Sequence, residues 1–486
     1  MTLRNCPPLG NGRFDRRDWL LRAGGGFGGV ALSALMQETT PLCAAMEGTA
    51  PRPHRAGTAR SVIFLFLDGG PSHLDTFHRR PAINEFAGRP LPASIKRVIT
   101  PMGVSENPVL PSPRTWKRYG ECGLEVSDWY PQVAQHADSL CVIRSCVSDA
   151  LNHVGGVTQM NTGTILGGRP SLGAWVDYGL STENRNLPAF VVLADTDRDP
   201  PGGSRQWGTG FMPAAHQGVK FLPGKNPILN LHPPTDLSEL RQRRKLEFVD
   251  QLNQEHLRAV GSDAEFDARI ASYELAFRMQ AHAPSAVDLA EETAETQRLF
   301  GLDQPATKTF GRNCLLARRL VERGVRFIQL YSGSGSRWDA HTNLEGNHSE
   351  LCAASDQPIA GLLTDLKQRG LLEETLVIWG GEFGRTPMSE KGDGRDHNPY
   401  GFTMWLAGGG VQGGQVIGET DDFGMHAVRE RVHVHDLHAT ILASLGLDHT
   451  QLIYPHQGRP ERPTVNEGVV VERVFRSSSS SDQPSA

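Results

Sequence analysis

Acids and histidines recur at one kind of place in this chain, at the edges of apolar runs. Asp68 closes the run Ser61–Leu67, and Asp339 and His341 follow Gly324–Tyr331 across a loop of glycine and serine. Glu382 lies just past Thr375–Trp379, and Asp396 and His397 precede Phe402–Ala407. Carboxylates and imidazoles together make a mixed oxygen and nitrogen donor set, which suits zinc or manganese; calcium, an oxygen-bound ion, fits it less well but stays admissible. A divalent ion there polarises an ester oxygen and generates hydroxide near neutral pH, so the set points to hydrolysis. The loop after Asp68 adds Ser72 and His73 as pocket candidates, and Asp75, which equally suits a helix cap. Arg385 reads either as a bidentate clamp for an oxyanion or as a cation that neutralises the acids around it.

For these groups to meet, the apolar runs must lie side by side. Runs without polar alternation, at Ser61–Leu67, Ser139–Val147, Pro188–Leu193, Gly324–Tyr331, Thr375–Trp379 and Phe402–Ala407, suit strands buried on both faces. Helical stretches lie between several of them, which predicts an α/β fold with a mostly parallel central sheet and helices on both faces. Ligands of such sheets bind outside the carboxyl ends of the strands. Three of the acid-bearing loops follow a strand, and the His397 loop leads into one. From Thr235 to Ala283 the chain carries Leu237, Leu240, Leu246 and Phe248 at helical spacing, which predicts an inserted helical pair near 235–300.

The ends read differently. Arg16-Arg17 precedes Trp19-Leu20-Leu21 and a small-residue, apolar run from Ala23 to Leu35, the order of a twin-arginine export signal. That run is short for a membrane span. The expected organisation is a signal over 1–50, cut between Ala44 and Ala50, a Pro/Arg/Gly linker over 51–60, one domain over 61–475, and a disordered serine-rich tail over 476–486. The twin-arginine translocase is then a partner during export, and the destination is the periplasm or cell envelope.

Composition removes some classes. Lys+Arg 49 against Asp+Glu 54 leaves a net charge of −5, without the basic footprint of a nucleic-acid protein. Histidines (18) outnumber cysteines (7), and the cysteines lack the paired spacing of thiolate sites. Cys122, Cys141, Cys146, Cys314 and Cys352 follow the leader; their odd number leaves a free thiol, and Cys141 and Cys146 read as packing residues. His433, His435 and His438 look like a metal cluster, but Asp436 ahead of Ala439-Thr440-Ile441-Leu442 reads more simply as an N-capped helix. The glycines from Gly408 to Gly414 form a turn into an edge strand, since no capped helix follows them.

The strings IFLFLDGGPSHLDTF, NHVGGVTQMNTG, WDAHTN, TLVIWGGEFGRTP, GRDHNPYGFTMWLAGGG and HDLHATILASLGLDH resemble the domain of unknown function 1501 family, a branch of the alkaline phosphatase and sulfatase superfamily. The resemblance covers about Ser61 to Val474. It implies that Asp68 is the first-strand metal aspartate and that Asp339 and His341 are a ligand pair at narrower spacing. It implies Glu382 in place of the aspartate of an Asp-His pair, with Phe383 where the histidine would stand. His397 matches the late histidine, and Asp396 is a ligand or its acceptor. Counting back ten positions from Gly163 of Thr162-Gly163, as in the sulfatase motif, reaches His153, with Asn152 before it, not serine or cysteine. His153 is therefore left as nucleophile or general acid/base, as metal ligand, or as neighbour to an attacking metal-bound water. The expected activity is exported, metal-dependent hydrolysis of phosphate or sulfate esters. The alternative is a catalytically silent relative that binds a sulfated or phosphorylated glycan.

Overall fold

The computed structural model describes residues 53–224, 227–228, 239–260 and 264–476. The Arg16-Arg17 leader and the tail after 476 lie outside the described residues. The strands that matter here are β1 (Ser61–Leu67), β2 (Leu140–Val147), β3 (Phe190–Ala194), β4 (Val219–Phe221), β5 (Phe327–Ser332) and β6 (Thr375–Gly380). They are followed by β7 (Gly384–Glu390), β8 (Gly394–Asn398), β9 (Phe402–Ala407), β10 (Gln415–Ile417) and β11 (Val432–His433). The helices that matter here are α1 (His153–Thr162), α2 (Leu172–Leu180), α3 (Glu239–Val260), α4 (Ala264–Val287), α5 (Lys308–Glu322), α6 (Leu344–Gln368) and α7 (Val434–Ser444).

The main sheet runs β10-β2-β9-β6-β1-β5-β3-β4, with β11 also paired to β2. Every residue of β1 is buried, as its unbroken apolar run requires of a strand covered on both faces. Successive side chains point to opposite faces. Ile63, Leu65 and Leu67 enter a core with Leu315 and Leu320 of α5 and Ile359 and Leu362 of α6. Val62, Phe64 and Phe66 enter the other, with Met160 of α1, Trp175 of α2 and Ile441 of α7. Each such side chain contributes about 1.5–3 kcal/mol through apolar burial. The protein is thus an α/β structure with a mostly parallel central sheet and helices on both faces.

Strand direction decides where the site forms. β1 is parallel to β5 and β6, whereas β9 is antiparallel to both β6 and β2. A reversed strand begins where its neighbours end, so the segment entering β9 stands beside the loops that leave β1, β5 and β6. That segment is β8, half of an antiparallel hairpin with β7 in which Arg385 pairs with His397. The turn out of β1 needs glycine. Gly69 and Gly70 take φ of 116° and 73°, and a Cβ on Gly69 would lie 2.5 Å from Asp339 N.

α7 has a capping box: the His433 side chain accepts from His435 N, and Asp436 accepts from His433 N at 2.8 Å. The five described cysteines are all free, with Cys122 exposed and the others buried. Among the described residues no helix is long and apolar enough to cross a membrane.

The β1 turn is tied to α6 by His348, which is buried and whose Nε2 accepts from Ser72 N at 3.0 Å. Burial, together with the nearby Arg385 charge, pushes this imidazole down to about 3. The unfolded chain takes up a proton near pH 6.5 that the folded state refuses. The His348 contribution is therefore complete above pH 6.5 and is lost toward pH 3, by at most about 1.4 kcal/mol per pH unit. Urea unfolding at pH 7 and pH 4.5 should show His348→Leu less stable at pH 7 by about 1–3 kcal/mol, since Ser72 N loses its acceptor. It should also lose less stability on acidification than the parent. Equal acid losses in both proteins would remove His348 from this account.

Candidate metal centre

Asp339 is the meeting point of the loops at this end of the sheet. Its Oδ1 lies 3.0 Å from His341 Nε2, 3.3 Å from His397 Nε2 and 2.8 Å from an Arg385 Nη, and its Oδ2 lies 3.1 Å from His153 Nε2. Ligand atoms of His153, Asp339, His341 and His397 all fall within 4.8 Å of one another. His341 Nδ1 is bonded to the Glu390 carboxylate, and His397 Nδ1 donates to Leu151 O at 2.8 Å. His153 is the first residue of α1, and its Nδ1 meets Glu382 Oε1 at 2.7 Å. Glu382 also accepts from Gly69 N at 3.1 Å. Asp68 Oδ2 accepts from Gly335 N and Ser336 N at 2.7 and 2.9 Å, which folds the loop after β5 over the end of β1. Phe383 forms an apolar floor, with its ring centroid 4.4 Å from that of His397 and 5.1 Å from that of His153.

The charges are strongly coupled. Burial and the neighbouring Glu382 push Asp68 up to about 7, against the two amides it accepts from. Burial raises the Asp339 carboxyl too, but His153, His341, His397 and Arg385 together hold it far below the usual carboxylate range. Burial lowers His153, yet Asp339 and Glu382 outweigh it and carry the imidazole up to about 9. Asp339 raises His341, and burial lowers His397.

These residues fit a divalent cation. Asp68 Oδ1 is buried without a hydrogen-bond partner among the described residues. His397 spends its Nδ1–H on Leu151 O, so its neutral ring turns an Nε2 lone pair on a carboxylate oxygen. Two acceptors face one another stably only with positive charge between them. Metal-bound histidines ordinarily give their other N–H to a carboxylate or carbonyl, as His341 and His397 do to Glu390 and Leu151.

The structure therefore brings Asp68, His153, Asp339, His341, Glu382 and His397 together. Asp396 stands just behind, its Oδ1 accepting from His397 N at 2.7 Å and its Oδ2 from Met102 N at 2.8 Å. Asp396 also forms a second close group with His341 and Glu390. Four other candidates sit elsewhere than the sequence suggests. Ser72 and His73 are buried and do not line an opening; Ser72 Oγ donates to Asp75 Oδ2 at 2.5 Å, and His73 Nε2 bonds Gly424 O at 3.0 Å. Burial there pushes His73 down to about 4. Asp75 caps no helix and instead pairs with buried Arg395 at 3.0 Å. Asn152 is spent on α1, its Oδ1 accepting from Gly155 N at 3.0 Å.

Arg385 is fully buried beneath the site, so the clamp reading gives way to the neutralising one. Its guanidinium donates to Gly70 O at 2.8 Å, Arg395 O at 3.2 Å, Trp338 O at 3.3 Å and Gly69 O, and pairs with Asp339. Every nitrogen of the guanidinium is thus engaged with the protein. The residue that sequence reasoning missed is Glu390. The turn signal Lys391-Gly392-Asp393-Gly394 between two short runs is a hairpin signature, and reading it would have placed Glu390 at a strand end beside the site.

Fold and site together define an α/β protein with a histidine and carboxylate centre at the carboxyl edge of its sheet. The chain belongs to the family described as Protein of unknown function (DUF1501), which matches residues 59–475. No curated protein matches it in sequence. Among solved structures it is similar to the PsFucS1 sulfatase from Pseudoalteromonas sp., at 13% identity over 86% of this chain and 71% of that one, with a TM-score of 0.34. The alkaline phosphatase of the Antarctic bacterium TAB5 aligns at 10% identity over 81% and 99% of the two chains, with a TM-score of 0.35. A phosphonate monoester hydrolase from Silicibacter pomeroyi aligns at 13% identity over 71% and 73%, with a TM-score of 0.33.

Removing Arg385 leaves Asp339 and several carbonyls without their buried cation. Arg385→Ala should lower the unfolding free energy by about 3–5 kcal/mol, measured in urea without added metal. Arg385→Lys should recover only part of this, because an ammonium cannot reach the same fork of acceptors. A loss under about 1 kcal/mol for the alanine variant would show that Arg385 is not the stabilising partner.

Proposed function

We propose that this chain is an exported, metal-dependent hydrolase of phosphate or sulfate esters. One observation carries the reading: His341 and His397, each anchored through Nδ1, turn their Nε2 atoms onto the same Asp339 oxygen at 3.0 and 3.3 Å. Asp339, His341 and His397 would hold the ion, zinc or manganese by the donor set, with Asp68 and Glu382 as the adjoining carboxylates. When bound, such an ion supplies Lewis acidity toward the ester oxygen and lowers the pKa of water. The remaining chemistry belongs to the chain. His153, set between Glu382 Oε1 and Asp339 Oδ2, holds a proton at the mouth of α1 and delivers it to the leaving alcohol oxygen. Glu382 fixes the ring, Glu390 orients His341, Leu151 O orients His397, and Phe383 keeps water from the underside of both rings. Export by the twin-arginine translocase to the periplasm or envelope rests on Arg16-Arg17 and the apolar run behind it.

Elemental analysis of the mature protein, with the Asp339→Ala and His397→Ala variants beside it, tests the centre. About one or two equivalents of zinc or manganese are expected in the parent and a loss in both variants. Glu390→Gln should weaken metal affinity about 10- to 100-fold without abolishing it. With aryl phosphate and aryl sulfate substrates, His153→Gln should cut kcat by about 10²- to 10⁴-fold while retaining the metal. A metal-free parent would end the hydrolase reading. A metal-loaded parent that binds sulfated or phosphorylated glycans without turning them over would favour the silent binding protein.

A further inference from the structure

A second cluster of donors lies on the far side of α1 from its own N-terminal His153. His433, His435 and Glu467 bring ligand atoms within 4.8 Å of one another. They border an open cavity of about 670 Å³ that also takes in Asp149 and Asp436. The two imidazole centroids are 4.6 Å apart. Nothing in the proposed reaction uses these groups.

Their hydrogen bonds fix which atoms are available. His435 Nε2–H donates to Gly163 O at 2.5 Å, which leaves Nδ1 as a lone pair, and that atom faces Glu467 Oε2 at 3.2 Å. As at His397, an imidazole lone pair meets a carboxylate oxygen, an arrangement that needs a proton or a cation between them. His433 Nε2 lies 3.1 Å from Asp149 Oδ2. The backbone carbonyl on the far nitrogen of His435 is the support that metal-bound histidines ordinarily have.

A helix N-terminus by itself attracts anions, and this cavity lies at the start of α7. Here Asp436 already meets that demand, its Oδ2 accepting from His433 N and its Oδ1 from Val469 N, each at 2.8 Å. Asp149, Asp436 and Glu467 outnumber Arg431 and Arg462 around the cavity. The local charge therefore favours a cation over a free anion.

We infer that His433, His435 and Glu467 form a second divalent-metal site, of the nitrogen-rich kind that takes zinc, with a water position open to the cavity. His433 binds through Nε2. Its ring proton then moves to Nδ1, and the 3.2 Å cap contact from His435 N is given up, while the Asp436 half of the capping box is kept. The site is structural in placement. His435 Nε2 keeps its bond to Gly163 O at the end of α1 when Nδ1 takes the metal, whereas His433 exchanges its Nε2 contact with Asp149 for the ion. An ion there anchors the carboxyl end of α1, the helix whose first residue is His153.

Zinc binding by the full-length chain, followed by equilibrium dialysis, separates this site from the first. In Asp339→Ala/His397→Ala protein, one equivalent of zinc should remain bound. Adding Glu467→Gln should weaken that remaining equivalent at least tenfold, and because Glu467 is largely exposed, this variant keeps its fold. Adding His435→Asn should abolish it. Failure of Asp339→Ala/His397→Ala protein to bind zinc, with circular dichroism unchanged, would overturn the second site and leave a shared proton between His435 and Glu467. Zinc retained at unchanged affinity after both further substitutions would overturn it as well. Neither result bears on the Asp339 centre, whose metal is read in His435→Asn protein with that centre intact.

Discussion

A single half-buried carboxylate, Asp339, organises this end of the molecule. Asp339 is approached by three imidazoles and one guanidinium, and every one of those groups comes from a different stretch of chain. Concentrated charge of this kind is stable in a low-dielectric interior only if each partner is held in place by something else. The supports are visible: Glu382 behind His153, Glu390 behind His341, Leu151 O behind His397, and a set of loop carbonyls around Arg385. Those carbonyls belong to Gly69, Gly70, Trp338 and Arg395, so one cation ties the β1 turn, the β5 loop and the β7–β8 hairpin together. Folding of the site and balancing of its charge are one event.

Much of this was legible in the sequence because burial on both faces leaves a plain trace. The strands read at Ser61–Leu67 and Phe402–Ala407 have those same bounds in the structure, and the others differ by a few residues at their ends. Asp68, Asp339, His341, Glu382 and His397 could be proposed as a set because each stands next to such a run. Strand direction was not legible. Whether Phe402–Ala407 runs with or against its neighbours leaves its apolar pattern unchanged, yet the reversal of β9 is what carries His397 to the carboxyl edge. The β7–β8 hairpin was hidden for a different reason. It is buried throughout, so its charged residues look like loop in the sequence while their partners, such as Asp75 for Arg395, come from far along the chain. Ser72 reads as a pocket residue on the same account: a polar residue in a loop reads as exposed unless its acceptors are known.

The replacement at Phe383 gains its meaning from α1. The resemblance implies an acid followed by histidine after the TLVI strand, and this chain has Glu382 followed by phenylalanine. An imidazole is nevertheless present, brought by His153 from the capped start of α1, bonded to Glu382 and seated 5.1 Å from the Phe383 ring. Glu382 supports that ring from behind and accepts from Gly69 N as well. His153 contributes to the charge balance of Asp339 from the start of α1, so a neutral hydroxyl or thiol at that position would leave the balance one cation short. A variant such as His153→Ser would therefore disturb the charge of the whole cluster and not merely one side chain.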